Sequence, residues 1–240
     1  PIPAGRRWCF KLNAPADPGL FWYDFEIHNQ GQVRWYSAPE DGLGGEGVLG
    51  AHTGKTWQGT VCLPCEMPTW PSQGIMYQIY VDRFYNGYPD KRIEHAPEGA
   101  LIHAHWQDTP FYTRDENNAV VRWDFFGGNL KGVEEKLDYL QQLGVSILYL
   151  NPIFLSASNH KYDTADYRRI DPMYGGEEAF ASLMHAVHAR GMRLILDGVF
   201  SHTGSDSVYF NRYGRYDGEG AYQSQQSPYF SWYRFSQWPE

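Results

Sequence analysis

The amino-acid sequence predicts an α/β fold: the first three βα units of a (β/α)8 barrel, preceded by part of a β-sandwich. Three observations carry that prediction. Three aliphatic runs, at residues 75–81, 145–150 and 192–196, alternate with two stretches of helical periodicity. This is the βαβαβ pattern of a parallel sheet with right-handed crossovers. The unusual polar and aromatic residues gather in the segments that follow these runs, and no Gly-rich phosphate loop follows any of them. That favours a barrel over a doubly wound sheet. Residues 1–69, by contrast, are β-rich with turn residues between short runs, the grammar of an antiparallel domain.

Taken in order, the candidate strands of the first part are Arg7–Leu12, Leu20–His28, Gln32–Tyr36 and Thr56–Leu63. The glycines of Leu43–Gly54 read as a loop. The segment is short for a whole sandwich, which usually needs about 100 residues. Pro64, Pro68 and Pro71 punctuate the chain, and the domain boundary falls near Trp70. The first barrel strand then ends at Asp82-Arg83-Phe84, and a long polar excursion runs through residue 128. Leu130, Val133, Leu137, Leu140 and Leu143 fall at helical spacing, with Gly144 at the helix end. The second strand closes at Asn151-Pro152. The second helix carries Phe180, Leu183, Met184 and Val187 on one face, and Gly191 ends it. The third strand follows at once and runs into Asp197. Three strands do not finish a barrel of eight.

Composition bounds the function. The chain of 240 residues is 42% hydrophobic and 20% charged, so it can bury a core. A net charge of −8 argues against nucleic acid, whose phosphates need clustered Lys and Arg. No apolar run reaches membrane-spanning length, and no signal-peptide pattern is present. Nine Trp and 18 Tyr make aromatics 17% of the chain. Such rings fill cores, and they also stack on the apolar faces of sugars. Cys62 and Cys65 form one C-x-x-C and Cys9 stands alone. A zinc site would have to borrow a histidine such as His52, so idle thiols are the simpler reading.

The most informative stretch is Asp197-Gly-Val-Phe-Ser-His202. A carboxylate and an imidazole at the carboxyl end of a buried parallel strand are placed where such barrels put their chemistry. Four further segments fall into line with it: Tyr77-Gln-Ile-Tyr-Val-Asp-Arg-Phe-Tyr-Asn-Gly87, Trp123-Asp-Phe-Phe-Gly-Gly-Asn-Leu130, Leu150-Asn-Pro-Ile-Phe154 and Ser158-Asn-His-Lys-Tyr-Asp-Thr-Ala-Asp-Tyr167. Together they resemble the α-amylase family of glycoside hydrolases, within it the neopullulanase, cyclomaltodextrinase and amylopullulanase group. Members of that group carry a β-sandwich ahead of a TIM barrel. The resemblance covers residues 70–240 by motif, and residues 1–69 by position and composition only.

The resemblance implies roles for individual residues. His202 matches the histidine that binds hydroxyls of the sugar before the scissile bond. Tyr162 matches the aromatic that stacks beneath that sugar, and His160 begins the same motif. Asp197 matches the aspartate that holds a site arginine from a later strand. Residues 203–240 match the start of the irregular domain inserted after strand three, and their Tyr, Phe and Trp residues divide between packing and contact with an α-glucan or maltooligosaccharide. The implied reaction is retaining hydrolysis or transfer at α-glucosidic bonds, which needs a carboxylate nucleophile and a carboxylic acid about 5–5.5 Å apart. In the family these come from strands four and five, with a third carboxylate from strand seven. No catalytic residue is therefore assigned within this chain. Asp163, Asp166, Asp171 and Asp206 stand at other positions, and the chain reads as an inactive N-terminal fragment.

Calcium is the one cofactor the resemblance raises; no organic cofactor is implied. Asn86, Asp90, Gly128 and Asn129 match a calcium-holding set, although calcium prefers six to eight oxygens and the set is partial. Ser201 stands where many α-amylases place a calcium-binding asparagine. Asp82, Arg83 and Asn151 read as braces of the barrel mouth, Gly127-Gly128 as a tight turn, and His103 and His105 as exposed loop histidines. Two rival functions remain on the same residues: a non-catalytic glucan-binding protein, and a glucosyltransferase or isomerase.

Overall fold

The computed structural model describes residues 2–4, 7–63 and 66–239. The chain forms two compact units, Pro1–Pro68 and Thr69–Glu240.

In the first unit β1 (Ile2–Ala4) pairs antiparallel with β2 (Arg7–Cys9). Next come β3 (Gly19–Tyr23), β4 (Phe25–Asn29), β5 (Gln32–Ser37), β6 (Val48–Gly50) and β7 (Trp57–Val61). They form two antiparallel sheets, β3–β7 and β4–β5–β6. The run predicted as one strand from Leu20 to His28 is thus two. Strand β3 pairs with β7 and β4 with β5, so the chain changes sheet at Asp24, whose carboxylate lies 2.5 Å from His52 Nε2. Gln30 and Gly31 both have positive φ (48° and 80°), the two-residue turn whose twist matches a hairpin. Alternation along β3 and β4 puts Tyr23 and Phe25 against Trp57, at ring-centroid distances of 5.7 and 5.9 Å. The glycine-rich stretch read as a loop contains β6. It docks there because the Gly47 amide donates to Tyr36 Oη and the Trp57 ring occupies the space a Cβ at residue 47 would need. Cys9 and Cys62 are free and exposed, while Cys65 and Pro64 lie outside the described residues.

In the second unit β8 (Ile75–Ile79) leads into a long excursion. It contains β9 (Leu101–Ile102), β10 (Thr113–Arg114), β11 (Val120–Arg122) and β12 (Asp124–Phe125), the last pairing parallel with β9. Then follow α1 (Leu130–Glu135), α2 (Leu137–Gln142), β13 (Val145–Leu150), the antiparallel pair β14 (Phe154–Ser156) and β15 (Thr164–Ile170), α3 (Gly176–Ala189) and β16 (Arg193–Leu196). Strands β16, β13 and β8 form one parallel sheet in that order. Among the described residues from 203 onward there is no strand and no α-helix, only turns and a 3-10 turn at Phe230–Trp232.

The core lies between this sheet and the helices. Leu130, Val133, Leu137, Leu140, Leu183 and Val187 are fully buried, as are Leu148 and Leu150 of the central strand. The stripe predicted for one helix is carried by two short ones that meet at Lys136. Its last member departs from expectation: Leu143 caps α2 and stays exposed, because the chain leaves the helix there. Gly144 then turns back toward β13 with φ of 88°, a conformation that glycine adopts at little cost.

Candidate functional site

The parallel ladder continues one residue past its strands. The Asn151 amide donates to the Ile79 carbonyl at 2.9 Å, and the Asp197 amide donates to the Leu150 carbonyl at 3.1 Å. Asn151 and Asp197 therefore stand at neighbouring carboxyl ends, and Gln78 Nε2 donates to Asn151 Oδ1 at 2.7 Å. Asp197 accepts the Tyr162 hydroxyl at 2.9 Å, and the Tyr149 phenol, its pKa raised by burial and then by this carboxylate, lies beside it. Burial first, and then the bond to this carboxylate, push the Tyr162 phenol up to about 12. The phenol is thus a donor at neutral pH and Asp197 its acceptor.

His160 stands beside this pair. Its ring lies 5.9 Å from that of Tyr162 and meets Trp123 edge-on at 4.8 Å. The Tyr162 amide donates to His160 Nδ1 at 3.0 Å. An amide can only donate, so the neutral ring carries its proton on Nε2. Burial holds the imidazole pKa below its usual value; Asp163 opposes this and Lys161 adds to it. Tyr162, Asp197 and His160 are each half-buried, so their polar tips remain reachable.

Behind them is a braced wall. Asp82 is fully buried and accepts the amides of Phe126 and Gly127 and the Arg83 guanidinium. Burial outweighs these bonds and raises its pKa. Asp124, also fully buried, accepts from Arg83, from His103 Nε2 at 2.9 Å and from Asn159 Nδ2 at 2.9 Å. His103 corrects the expectation of an exposed loop histidine. Its side chain is only 7% exposed and its ring stacks on Phe126 at 4.0 Å, because the buried Asp124 carboxylate needs a donor. Sequence reasoning also missed Trp123, Tyr149 and Asn159. Trp123 and Asn159 stand inside two of the motif segments but carried no role there, and nothing in the local pattern of Tyr149 distinguishes it from a packing residue.

His202 belongs to another wall. Its side chain is exposed with Nδ1 3.1 Å from Ser201 Oγ, and its carbonyl accepts the Tyr167 hydroxyl at 2.9 Å. Among the described residues it shares no hydrogen bond or ring contact with Tyr162, Asp197 or His160. It lines a cavity of about 740 Å³ with Tyr167, Phe200, Tyr209, Trp232 and Tyr233. Trp232 stacks on Tyr209 at 5.2 Å yet stays 59% exposed.

The fold brings together three of the four residues matched to a calcium set and leaves Asp90 out, its carboxylate paired with Arg92. Of the three that converge, Asn86 and Asn129 have their side-chain oxygens already spent. Asn86 Oδ1 accepts from the Tyr88 amide at 2.9 Å and from Asn129 Nδ2 at 3.1 Å. Asn129 Oδ1 accepts from the amides of Gly87 and Gly132, capping α1. The Asn86 carbonyl holds the Lys91 ammonium at 2.7 Å, and Gly128 packs so closely that a Cβ would fall 2.0 Å from the Val81 carbonyl oxygen. A hard cation needs free oxygens. Here the oxygens face N–H donors and an ammonium, so the residues as folded do not fit calcium.

Comparison with known proteins gives the family. A family model described as the α-amylase catalytic domain matches residues 78–239. The chain is 44% identical to an amylopullulanase of Thermoanaerobacterium thermosulfurigenes, over 94% of this chain and 13% of that protein. The type III pullulan hydrolase of Thermococcus kodakarensis is similar in structure, with 31% identity and a TM-score of 0.56 over 94% of this chain and 37% of that one. The cyclic α-maltosyl-(1→6)-maltose hydrolase of Arthrobacter globiformis, solved with cyclic α-maltosyl-(1→6)-maltose, gives 33% identity and a TM-score of 0.53 over 68% of this chain and 31% of that one. The chain thus spans about an eighth of the length of the amylopullulanase it matches. The match runs through the second and third parallel strands and the loops that carry Tyr162, Asp197 and His202, and on that ground the chain belongs to the α-amylase family.

Proposed function

We propose that this chain is the sugar-binding part of an α-glucan-active glycoside hydrolase, which in its full-length form cleaves α-glucosidic bonds of starch, pullulan or maltodextrins with retention. In this reading Thr69–Glu240 supplies the first three βα units of a (β/α)8 barrel and the start of the segment inserted after the third strand. Residues 1–69 are part of a carbohydrate-binding-like β-sandwich. The observation that carries it is the cluster of Tyr162, Asp197 and His160 at the carboxyl ends of parallel strands, where such barrels bind substrate. The Tyr162 ring presents an apolar face to the C–H side of a glucose ring. His160 Nε2–H donates to a hydroxyl, and His202 does the same from the neighbouring wall. The names of the relatives support the substrate class: an amylopullulanase, a pullulan hydrolase and a cyclic α-maltosyl-(1→6)-maltose hydrolase.

The bond-breaking carboxylates we assign to later strands. Retention needs two carboxyl groups free to face the glycosidic bond. The aspartates nearest this site are otherwise engaged: Asp163 by the Ser156 and Ser158 hydroxyls, Asp171 by Lys161, Asp206 by Arg215, and Asp166 by the Arg168 amide. The test is a maltotriose titration followed by ligand-observed NMR, with a starch and pullulan hydrolysis assay beside it. Binding without turnover is expected, and Tyr162→Ala should weaken it about tenfold. Hydrolysis by the purified 240-residue chain would overturn the assignment of the carboxylates.

A further inference from the structure

Between His160 and Tyr162 stands Lys161, whose side chain is fully buried. Its ammonium lies 2.7 Å from Asp171 Oδ2 and donates to the carbonyls of Ser156 at 3.3 Å and Ser158 at 3.1 Å. Three donors thus meet three acceptors, the full capacity of an ammonium. The rings of Tyr174 and Phe125 flank it at 5.0 and 5.7 Å. Asp171 is equally committed, taking the amides of Met173 at 2.9 Å and Ser156 at 3.3 Å. The backbone of Lys161 is left-handed, with φ of 61°, which a non-glycine residue adopts only where its surroundings enforce it.

We propose that Lys161 is the positioning residue of the sugar-facing wall: by anchoring inward on Asp171 it forces its neighbours His160 and Tyr162 to face outward in register. This rests on the sugar-binding reading of those two residues. The physical reason is the cost of a buried charge. An ammonium in this pocket without its carboxylate is heavily penalised, so the side chain has one place to go. Fixing it sets the left-handed turn, and the turn directs the residues on either side. The Lys161 amide donates to Ser158 Oγ at 3.0 Å, which closes the loop over one of the two hydroxyls that hold Asp163. Facing the pair are Asp163 from its own loop, the neutral His160, and the phenol of Tyr174; Asp82 lies beyond that phenol.

The test compares the 240-residue chain with Lys161→Met/Asp171→Asn, which removes both charges together and leaves neither stranded. Three quantities are read: the thermal melt, the affinity for maltotriose, and the His160 titration followed by proton NMR. The expected result is a folded variant that binds maltotriose about tenfold more weakly or worse. Its His160 midpoint should move upward, because a neighbouring positive charge is gone. A folded variant with wild-type affinity and an unmoved His160 midpoint would overturn the proposal. Should the double variant fail to fold, Asp171→Glu keeps both charges and displaces the carboxylate by one methylene. Weakened maltotriose binding supports the inference there, and unchanged binding overturns it. If the wild-type chain itself does not bind maltotriose, the sugar-binding reading fails instead, and the proton Overhauser contact between the His160 and Tyr162 rings, lost in the double variant if Lys161 positions them and kept if it does not, still decides the role of Lys161.

Discussion

Tyr162 and Asp197 meet across 35 residues of sequence, and their bond is a proton held between a phenol and a carboxylate. With the folded phenol near 12 and the unfolded one near 10, the native state keeps this proton more tightly. Its contribution to stability is therefore full below pH 10 and is lost as the pH rises from 10 to 12. Asp197→Asn removes the carboxylate but not the burial, so the phenol should ionise at a lower pH that still exceeds 10. An ultraviolet phenolate difference titration of the two proteins measures this. His160 has the opposite sense. Its folded pKa is depressed, so its contribution is full above the unfolded value of about 6.5 and declines as the pH falls below it. His160→Gln should lose less melting temperature between pH 7 and pH 5 than the wild type does, and a pH series of thermal melts checks it. His160 and Tyr162 were legible in the sequence as members of a motif. Trp123 opened another motif segment without an assigned role and Tyr149 lay outside every segment, because an aromatic residue in a strand or loop has the same local signature whether it lines a site or fills a core.

At the level of elements, α1 shows packing overruling propensity. Gly132 sits inside the helix, where alanine would be intrinsically better by about 1 kcal/mol. A Cβ there would fall 1.8 Å from the Tyr85 carbonyl oxygen, since the turn at residues 85–87 lies directly on the helix backbone. Gly132→Ala should therefore destabilise the unit, by about 1–3 kcal/mol in urea denaturation. Leu137→Ala should cost about 2–5 kcal/mol by the same measurement, because Leu137 is fully buried between helix and sheet. The helical stripe was legible in its period as far as Leu140. The break at Lys136 was not, nor was the exposure of Leu143. The first goes with a tertiary contact, the Lys136 ammonium over the Tyr85 ring at 4.0 Å, and the second with where the chain turns toward β13. Strand β6 was hidden for a related reason: Gly47, just ahead of it, is demanded by the Trp57 ring rather than by a flexible loop.

At the scale of the molecule, the parallel sheet is unusually open. Such sheets are ordinarily covered on both faces. Here β8 exposes Ile75 (56%) and Met76 (50%), and past the end of β16 Phe200 is 84% exposed. The flanking strands β8 and β16 also present unpaired edges. The 240-residue chain should therefore associate at micromolar concentration. Light scattering coupled to size exclusion would refute this by returning a monomer that also melts cooperatively.

From the sequence alone came the α/β class, the three parallel strands, both helical faces and the family. Each rests on a short-range regularity, either a period of burial or a residue motif at a strand end. The folded structure decided what long-range contact alone can set. It joined the Tyr162 hydroxyl to Asp197, set His202 on a cavity lined by aromatic residues, buried His103 on Asp124, and turned the side-chain oxygens of Asn86 and Asn129 toward N–H groups. A motif specifies which side chains a site has to draw on. Which of them meet, and which are already spent on one another, depends on burial and hydrogen bonding between segments dozens of residues apart.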